Sequence, residues 1–194
     1  MFSGIVQGVT EVVASEMKNG SLLLTLARPP HCVVKLGESV AVNGICLTIA
    51  GISENACTFE LMPETLQRTT FGAEIPKVVN IEQSLRMGDP LGGHVMTGHV
   101  DCVGAITAVT EEGDSRKFGI SFPKEFAKLI VMKGSIAVDG ISLTVAALDK
   151  ESFAVILVSH TLRSTTLSQK KAGDRVNLEF DIIAKHLARM AEAL

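Results

Sequence analysis

The chain has 194 residues, 18 basic and 21 acidic side chains, and a formal net charge of −3. This weakly acidic balance gives no electrostatic reason to bind nucleic acid or a membrane surface, so a small-molecule role is expected. The four cysteines lack metal-like spacing, and no basic segment with a long apolar run precedes them, so no metal site and no secretion are predicted. The thiols are expected to be reduced, as in a cytoplasm.

Short β-type runs separated by turn residues fill the first half of the chain. This rhythm predicts an all-β fold with little helix, limited to turns at 63–69, 124–131 and 159–165 and to a tail. The predicted strands are residues 4–13, 21–26, 39–43, 46–52, 58–62 and 78–82.

The second half repeats the first. VAVNGICLT at 40–48 returns as IAVDGISLT at 136–144, and shorter matches flank it in the same order. A fixed-period echo marks a duplicated structural unit. Asn43-Gly44 and Asp139-Gly140 each predict a tight hairpin, because such dipeptides accept positive φ. Six strands per unit favour two similar closed β-barrels, since closure removes unpaired strand edges.

The polar, glycine-rich stretch 86–94 predicts the boundary between the units. We therefore predict an N-terminal barrel over 1–88, a C-terminal barrel over 89–181 and a helix over 182–194. Apolar residues recur in that helix with the spacing of a coiled-coil seam, at Ile183, Leu187, Met190 and Leu194. The helix either packs on its own barrel or assembles with tails of other subunits.

Matched positions that carry different chemistry are informative, because the shared fold does not explain the difference. Five such pairs are Ile5 and His99, Gln7 and Asp101, Cys46 and Ser142, Glu64 and His160, and Ser84 and Asp181.

The imidazole of His99 is suited to proton transfer near neutral pH, or it satisfies a backbone group. Ser142 and Thr144 alternate with Leu143, so both hydroxyls lie on one face of a strand, which we take to be the inward face. The alternative is that they are ordinary strand residues. Asp181 either caps the tail helix or touches a ligand, and Lys133 either binds a ligand or is solvated.

Four segments in register with the duplication resemble the α-chain type of riboflavin synthase. They are MFSGIVQG at 1–8, VNGICLT at 42–48, GGHVMTGHVD at 92–101 and VDGISLT at 138–144. The resemblance implies two six-stranded barrels and a C-terminal helix that assembles a homotrimer. It also implies the dismutation of two molecules of 6,7-dimethyl-8-ribityllumazine to riboflavin and 5-amino-6-ribitylaminopyrimidinedione, with no cofactor or metal. Association with lumazine synthase is left open.

The resemblance also implies a site between the N-terminal barrel of one subunit and the C-terminal barrel of its neighbour. The implied contacts of the first barrel are Gly4, Ile5, Val6, Ile45, Cys46, Leu47, Glu60, Leu61, Met62, Pro63, Glu64 and Thr65. Those of the second barrel are Gly98, His99, Val100, Lys133, Ser142, Leu143, Thr144, Ile156, Leu157, Val158, Ser159, His160 and Thr161.

As a hypothesis, His99 with Ser142 and Thr144 transfers protons or positions a water, Cys46 assists at the other ring, and Asp181 orients a partner. Holding two rings aligned supplies most of the rate enhancement, an effect that reaches about 7 to 11 kcal/mol in well-oriented systems. The main alternative is a non-catalytic relative that carries a lumazine or a flavin. A nucleic-acid-binding barrel would need basic and aromatic residues on a strand face, which this chain does not show.

Overall fold

The computed structural model describes residues 1–28 and 32–192 of the chain. Each half forms a closed six-stranded antiparallel barrel, and both barrels join their strands in the same order. The first barrel contains β1 (Gly8–Lys18), β2 (Ser21–Ala27), β3 (Ser39–Val42), β4 (Ile45–Ile52), β5 (Ala56–Leu61) and β6 (Val78–Gln83). The second contains β7 (Cys102–Glu112), β8 (Ser115–Ser121), β9 (Ser135–Val138), β10 (Ile141–Leu148), β11 (Ser152–Leu157) and β12 (Arg175–Phe180).

Helices are few. Short helices follow β5 and β11, and one longer helix ends the described chain: α1 (Pro63–Arg68), α2 (Ser159–Ser164) and α3 (Ile182–Ala191). The segments Thr70–Gly72, Lys124–Leu129 and Thr166–Gln169 form 3-10 turns. The predictions of two closed barrels and of a terminal helix are confirmed.

The duplication extends to local irregularities of the strands. Asn43 and Asp139 have φ of 45° and 46°, and each is followed by a glycine at φ 79°, so both hairpins have the predicted geometry. The register shifts by one residue in β4 between Ile49 and Gly51, and in β10 between Val145 and Ala147. Such bulges bend a strand where a small barrel must close.

Each barrel has its own apolar core. Aliphatic side chains dominate both cores, with Phe59 and Phe71 in the first and several phenylalanines in the second. Phe126 stacks on Phe180 with a 5.3 Å centroid distance and a 9° angle between the rings. Such packing fixes the strands rigidly, so the groups on the outer faces of the barrels are held in defined positions.

A reciprocal hydrogen-bond network joins the barrels at the two hairpins. The side-chain amide of Asn80 donates to the Asp139 carbonyl at 2.9 Å, and that of Asn177 donates to the Asn43 carbonyl at 3.0 Å. The amides of Thr166 and Thr70 return bonds to the Asn80 and Asn177 side chains, each at 2.8 Å. The reciprocal pattern relates the halves by an approximate two-fold axis.

The predicted start of the first strand at residue 4 is wrong, because β1 begins at Gly8. Residues before it run across to the linker between the barrels, where Phe2 and Met96 form a two-way backbone bridge. Both side chains are fully buried. The extended β-type sequence of this segment is thus used for pairing outside its own barrel.

The apolar seam of α3 is exposed on this chain: Ile183 and Leu187 are each 60% exposed and Met190 is 67% exposed. The helix is attached through its polar side instead, by a 2.6 Å ion pair between Lys185 and Asp101 and by an ion pair between Lys128 and Glu192. Packing of the seam on its own barrel is therefore not observed. Leu194, the last predicted seam position, lies outside the described residues.

Candidate functional site

Two short loops cross between the barrels and make two equivalent backbone contacts. The carbonyl of Gly4, which precedes the first barrel, accepts a 2.8 Å bond from the Ser142 amide in the second. The carbonyl of Gly98, which precedes the second barrel, accepts a 2.9 Å bond from the Cys46 amide in the first. We call the two places the Ser142 pocket and the Cys46 pocket.

This crossing corrects the expected division of the site between barrels. Gly4, Ile5 and Val6 belong with Ser142, not with Cys46, and Val6 packs on the core of the second barrel. Gly98, His99 and Val100 belong with Cys46, and Val100 packs on the core of the first barrel. The reason is the bridge at residues 2 and 96, which carries the start of each unit over to the other.

Glycine is required in both crossing loops. Gly4 and Gly98 have φ of 77° and 79°, which side chains rarely adopt. An added Cβ on Gly4 would lie 2.6 Å from the Cβ of Ser142, and one on Gly98 would lie 2.5 Å from the Cβ of Cys46. The loop backbone therefore lies directly on the two residues that we expect to carry chemistry.

The Ser142 pocket contains a cavity of about 110 Å³. The predicted residues Gly4, Ile5, Val6, Ser142, His160 and Thr161 line it together with Ile141, Ser164 and Thr165. Apolar walls with a few convergent hydroxyl and imidazole groups are typical of a small-molecule site.

A buried histidine of the predicted linker, His94, lies behind Ser142. The Nδ1 atom of His94 is 2.7 Å from the Ser142 hydroxyl, and its Nε2 atom is buried without a partner among the described residues. Burial lowers the pKa of His94, and the charges of Asp181 and Glu179 partly offset this effect. The imidazole is therefore largely neutral at pH 7 and is able to exchange a proton with the hydroxyl. The sequence signal was a histidine directly after two glycines, in Gly92-Gly93-His94. In the structure an added Cβ on Gly93 would lie 2.7 Å from the Cβ of Ser142, so only glycine allows this close approach.

The Cys46 pocket has different groups on the same scaffold. Cys46 is partly exposed, whereas Cys32, Cys57 and Cys102 are buried. Burial raises the pKa of Cys102 to about 12, so that thiol is inert. His99 is exposed in the crossing loop, and Glu64 is exposed on α1, where it pairs with Arg68 at 3.2 Å.

Strand alternation corrects two expectations about side-chain direction. Ser142 is half-buried and Thr144 is exposed on the outer face of the second barrel, while Ile141 and Val145 point into its core. The hydroxyls share a face as predicted, but it is the outward one. Four of the expected contact residues have side chains buried in barrel cores, which leaves only their backbone for a ligand: Ile45, Leu47, Leu61 and Leu157. Leu143 is half-buried and packs against the second core.

The remaining expected contacts lie around the pocket rims. Asp181 caps α3, since its carboxylate accepts a 2.9 Å bond from the Ile183 amide. Lys133 is exposed and has φ of 64° where the first half has Gly37. Met62, Ile156 and Val158 are 57%, 44% and 57% exposed, Glu60, Pro63 and His160 are also exposed, and Thr65, Ser159 and Thr161 are half-buried.

Size alone does not locate the site. A larger cavity of about 360 Å³ lies beside the hairpin network, lined by charged groups of both signs, including Glu74, Lys170, Asp174 and Arg175. None of the expected contact residues lines it. Within residues 1–28 and 32–192, no group of three or more His, Cys, Asp or Glu side chains is arranged to hold a metal ion. Among the same residues, every helix is too short or too polar to span a lipid bilayer.

The fold and the pockets define a duplicated-barrel protein of the lumazine-binding class. The lumazine binding domain family matches the chain twice, at residues 3–84 and 97–181. Among solved structures, LumP in complex with riboflavin aligns with a TM-score of 0.86 at 27% identity, covering 93% of this chain and 99% of that chain. LumP in complex with 6,7-dimethyl-8-(1'-D-ribityl) lumazine aligns with a TM-score of 0.84 at 26% identity.

Sequence relatives narrow this class. The chain is 39% identical to riboflavin synthase of Brucella abortus, covering 99% of this chain and 98% of the relative. It is 40% identical to riboflavin synthase of Chlamydia pneumoniae, covering 95% of this chain and 92% of the relative. The chain belongs to the riboflavin synthase family.

Proposed function

We propose that the chain catalyses the dismutation of two molecules of 6,7-dimethyl-8-ribityllumazine to riboflavin and 5-amino-6-ribitylaminopyrimidinedione. The observation that carries this proposal is the pair of crossing-loop contacts at Ser142 and Cys46, alike in backbone and unlike in polar groups. One barrel scaffold repeated in this way is suited to holding two copies of one ring in unequal roles. No redox cofactor is needed, because one lumazine donates a four-carbon unit to the other.

The reaction requires a proton to leave a methyl group of one lumazine and a nucleophile to add reversibly to the other ring. In the Ser142 pocket the neutral His94 holds the Ser142 hydroxyl, which is thereby able to relay a proton or to orient a water. Thr144 adds a second hydroxyl on the same face. In the Cys46 pocket the side chains of Cys46 and His99 are the groups available to a ligand. This assignment replaces the expected cooperation of His99 with Ser142 within one chain.

The roles of the rim residues are proposals of the same kind. Lys133 and the strand ends 60–65 and 156–161 would bind the substrates, and Asp181 would act on the site through His94, whose pKa its charge raises. The barrel division at 1–88 and 89–181 is supported by strands that occupy Gly8–Gln83 and Cys102–Phe180. Free thiols at all four cysteines support a reducing compartment such as the cytoplasm.

Turnover of the purified chain with the lumazine tests the proposal. We expect riboflavin absorbance to appear, and we expect His99→Gln to lower kcat more than it lowers ligand affinity. The alternative of a lumazine or flavin carrier is not favoured, since the sequence relatives that match nearly the whole chain are riboflavin synthases. Binding of the lumazine without riboflavin formation would support the carrier and contradict the enzyme.

We further propose that the chain assembles as a homotrimer through α3 and that a neighbouring subunit completes each site. Support comes from the exposed seam of α3 and from exposed apolar side chains at the pocket rims, such as Ile5 at 51% and Val158 at 57%. Pockets that are open on this chain need a cover that excludes water from stacked rings.

Substitution in the seam tests the assembly. We expect Leu187→Lys to lower the mass measured by light scattering to that of one chain and to lower the activity with it. Arg189→Ala, on the 83% exposed arginine of the same helix, is the matched control and should leave the mass unchanged. A fully active Leu187→Lys monomer would contradict the completed-site proposal.

A further inference from the structure

Two glutamates in the barrel interface are hydrogen-bonded through their side chains to the crossing loops. Glu82 on β6 and Glu179 on β12 are each 3% exposed. Neither pairs with a lysine or an arginine in the part of the chain that the structure describes. A buried carboxylate without a cation is costly unless several donors satisfy its oxygens, so these donors define what each glutamate is for.

The donors come from one loop in each case. Glu82 accepts bonds from the amide and the hydroxyl of Ser3, each at 2.7 Å, and from the Gly4 amide at 3.0 Å. Glu179 accepts bonds from the amide and the hydroxyl of Thr97, at 2.7 and 2.6 Å, and from the Gly98 amide at 2.9 Å. Charge-assisted bonds of this length hold a backbone segment firmly.

Each loop carries this constraint over to the opposite barrel. After Glu82 fixes the Gly4 amide, the Gly4 carbonyl bonds the Ser142 amide on the second barrel. After Glu179 fixes the Gly98 amide, the Gly98 carbonyl bonds the Cys46 amide on the first barrel. The side chain that follows each glycine, Ile5 or His99, projects from the rim of the pocket so formed.

We propose that Glu82 and Glu179 are positioning residues that act crosswise, Glu82 setting the geometry of the Ser142 pocket and Glu179 that of the Cys46 pocket. Their effect on turnover rests on the proposed function, whereas their effect on the pockets does not. A glutamine at either position keeps the shape but turns an NH₂ group toward the glycine amide. Because two donors then face each other, the loop loses its anchor.

Hydrogen exchange of two backbone amides tests the crossing in the full-length chain. We expect Glu82→Gln to accelerate exchange of the Ser142 amide at least about 10-fold and to leave the Cys46 amide unchanged. Glu179→Gln should do the reverse, so each variant is the control of the other. Acceleration confined to the barrel that carries the substitution, or equal acceleration of both amides, would overturn the proposal.

Thiol labelling provides a second readout, because Cys46 is partly exposed whereas Cys32, Cys57 and Cys102 are buried. Glu179→Gln should speed alkylation of Cys46 several-fold and Glu82→Gln should not. If the glutamine variants do not fold, Ser3→Ala and Thr97→Val each remove the hydroxyl bond to the glutamate and the bond that this hydroxyl accepts from the Ile5 or His99 amide. The same crossed pattern then decides. In the active protein both glutamine variants should lower kcat. Crossed exchange in a chain that forms no riboflavin would refute the proposed function and leave this inference standing.

Discussion

The two halves of the chain share a backbone plan and differ in the polar groups that it presents. In the second half a hydroxyl is hydrogen-bonded to a buried imidazole, whereas in the first half a thiol lies under a glycine backbone. The hairpins differ as well, with Asn43 in one and a buried carboxylate, Asp139, in the other. A duplicated fold thus keeps the framework bonds constant and varies charge at a few positions, which is what unequal roles for identical ligands require.

Exchanging the hairpin residues should give the largest effect. Asp139 is 1% exposed, and one of its carboxylate oxygens accepts a bond from the Asn177 amide. The other has no hydrogen-bond partner among the described residues and lies 3.7 Å from the Lys170 ammonium. Burial raises the pKa of Asp139, and Lys170 only partly lowers it. We expect Asn43→Asp to destabilise the chain by about 3 kcal/mol, since Asn43 is 4% exposed and the change buries a charged group in its place.

The reverse change, Asp139→Asn, should stabilise the chain at pH 7 by about 1 kcal/mol. Because the folded state holds this proton more tightly than the unfolded state, the free energy of unfolding falls as pH rises above the ordinary aspartate value of about 3.9 toward the raised pKa. Asp139→Asn removes that dependence. Denaturant titrations of both variants measure this pH dependence of the free energy of unfolding. They cover about pH 4 to about pH 8, from near the ordinary aspartate pKa of about 3.9 to neutrality and above. An equal loss of stability in both variants would mean that the hairpins are not distinguished by charge.

Removing the buried imidazole should lower turnover next. We expect His94→Gln to reduce kcat about 100-fold, because the Ser142 hydroxyl loses the group that holds it. In the wild type, activity should fall as pH drops below about 6.5 and through the lowered pKa of His94, where the imidazole becomes charged. The folded state binds this proton less tightly than the unfolded state, so stability also falls over the same window. A pH-rate profile unchanged in His94→Gln would remove this residue from the mechanism.

The smallest effect concerns Lys133 and its counterpart Gly37. Both have positive φ, 64° and 82°, and both donate the same 3.0 Å backbone bond, to Val145 and to Ile49. We expect Lys133→Gly to raise the free energy of unfolding by about 1 kcal/mol, since glycine relieves the left-handed conformation. If the left-handed conformation serves to hold the Lys133 side chain toward a ligand, the same variant should also raise KM. Gly37→Lys should lower stability by a similar amount without that kinetic effect.

The fold was largely predictable because its signals are local. Hairpin dipeptides, alternating strands and a repeated nine-residue phrase predicted two closed barrels. The start of β1 was not predictable, since Phe2 and Ser3 pair with Met96 and His94 and Gly4 pairs with Ser142, and strand propensity does not state which partner a segment pairs with. The crossing of the two pockets was missed for the same reason.

Side-chain direction was predictable in part. Alternation correctly placed Ser142 and Thr144 on one face, but the choice between core and surface needed the neighbours Ile141 and Val145, whose apolar side chains take the core. His94 was missed because its glycine-rich context is also typical of a linker. The signal available in the sequence was a histidine directly after two glycines, which are residues that let other backbone come close.

Gly44 and Gly140 meet where the hairpins of the two barrels touch, and an added Cβ on either would lie within 2.7 Å of the other's backbone nitrogen. The barrels are therefore separated by main chain alone at this point. A larger residue at either position would push the other barrel away. The distance between the two barrels is therefore fixed by the two glycines. Substitutions are free to change the polar groups of one pocket, but the close contact between the two hairpins that both pockets share must be kept.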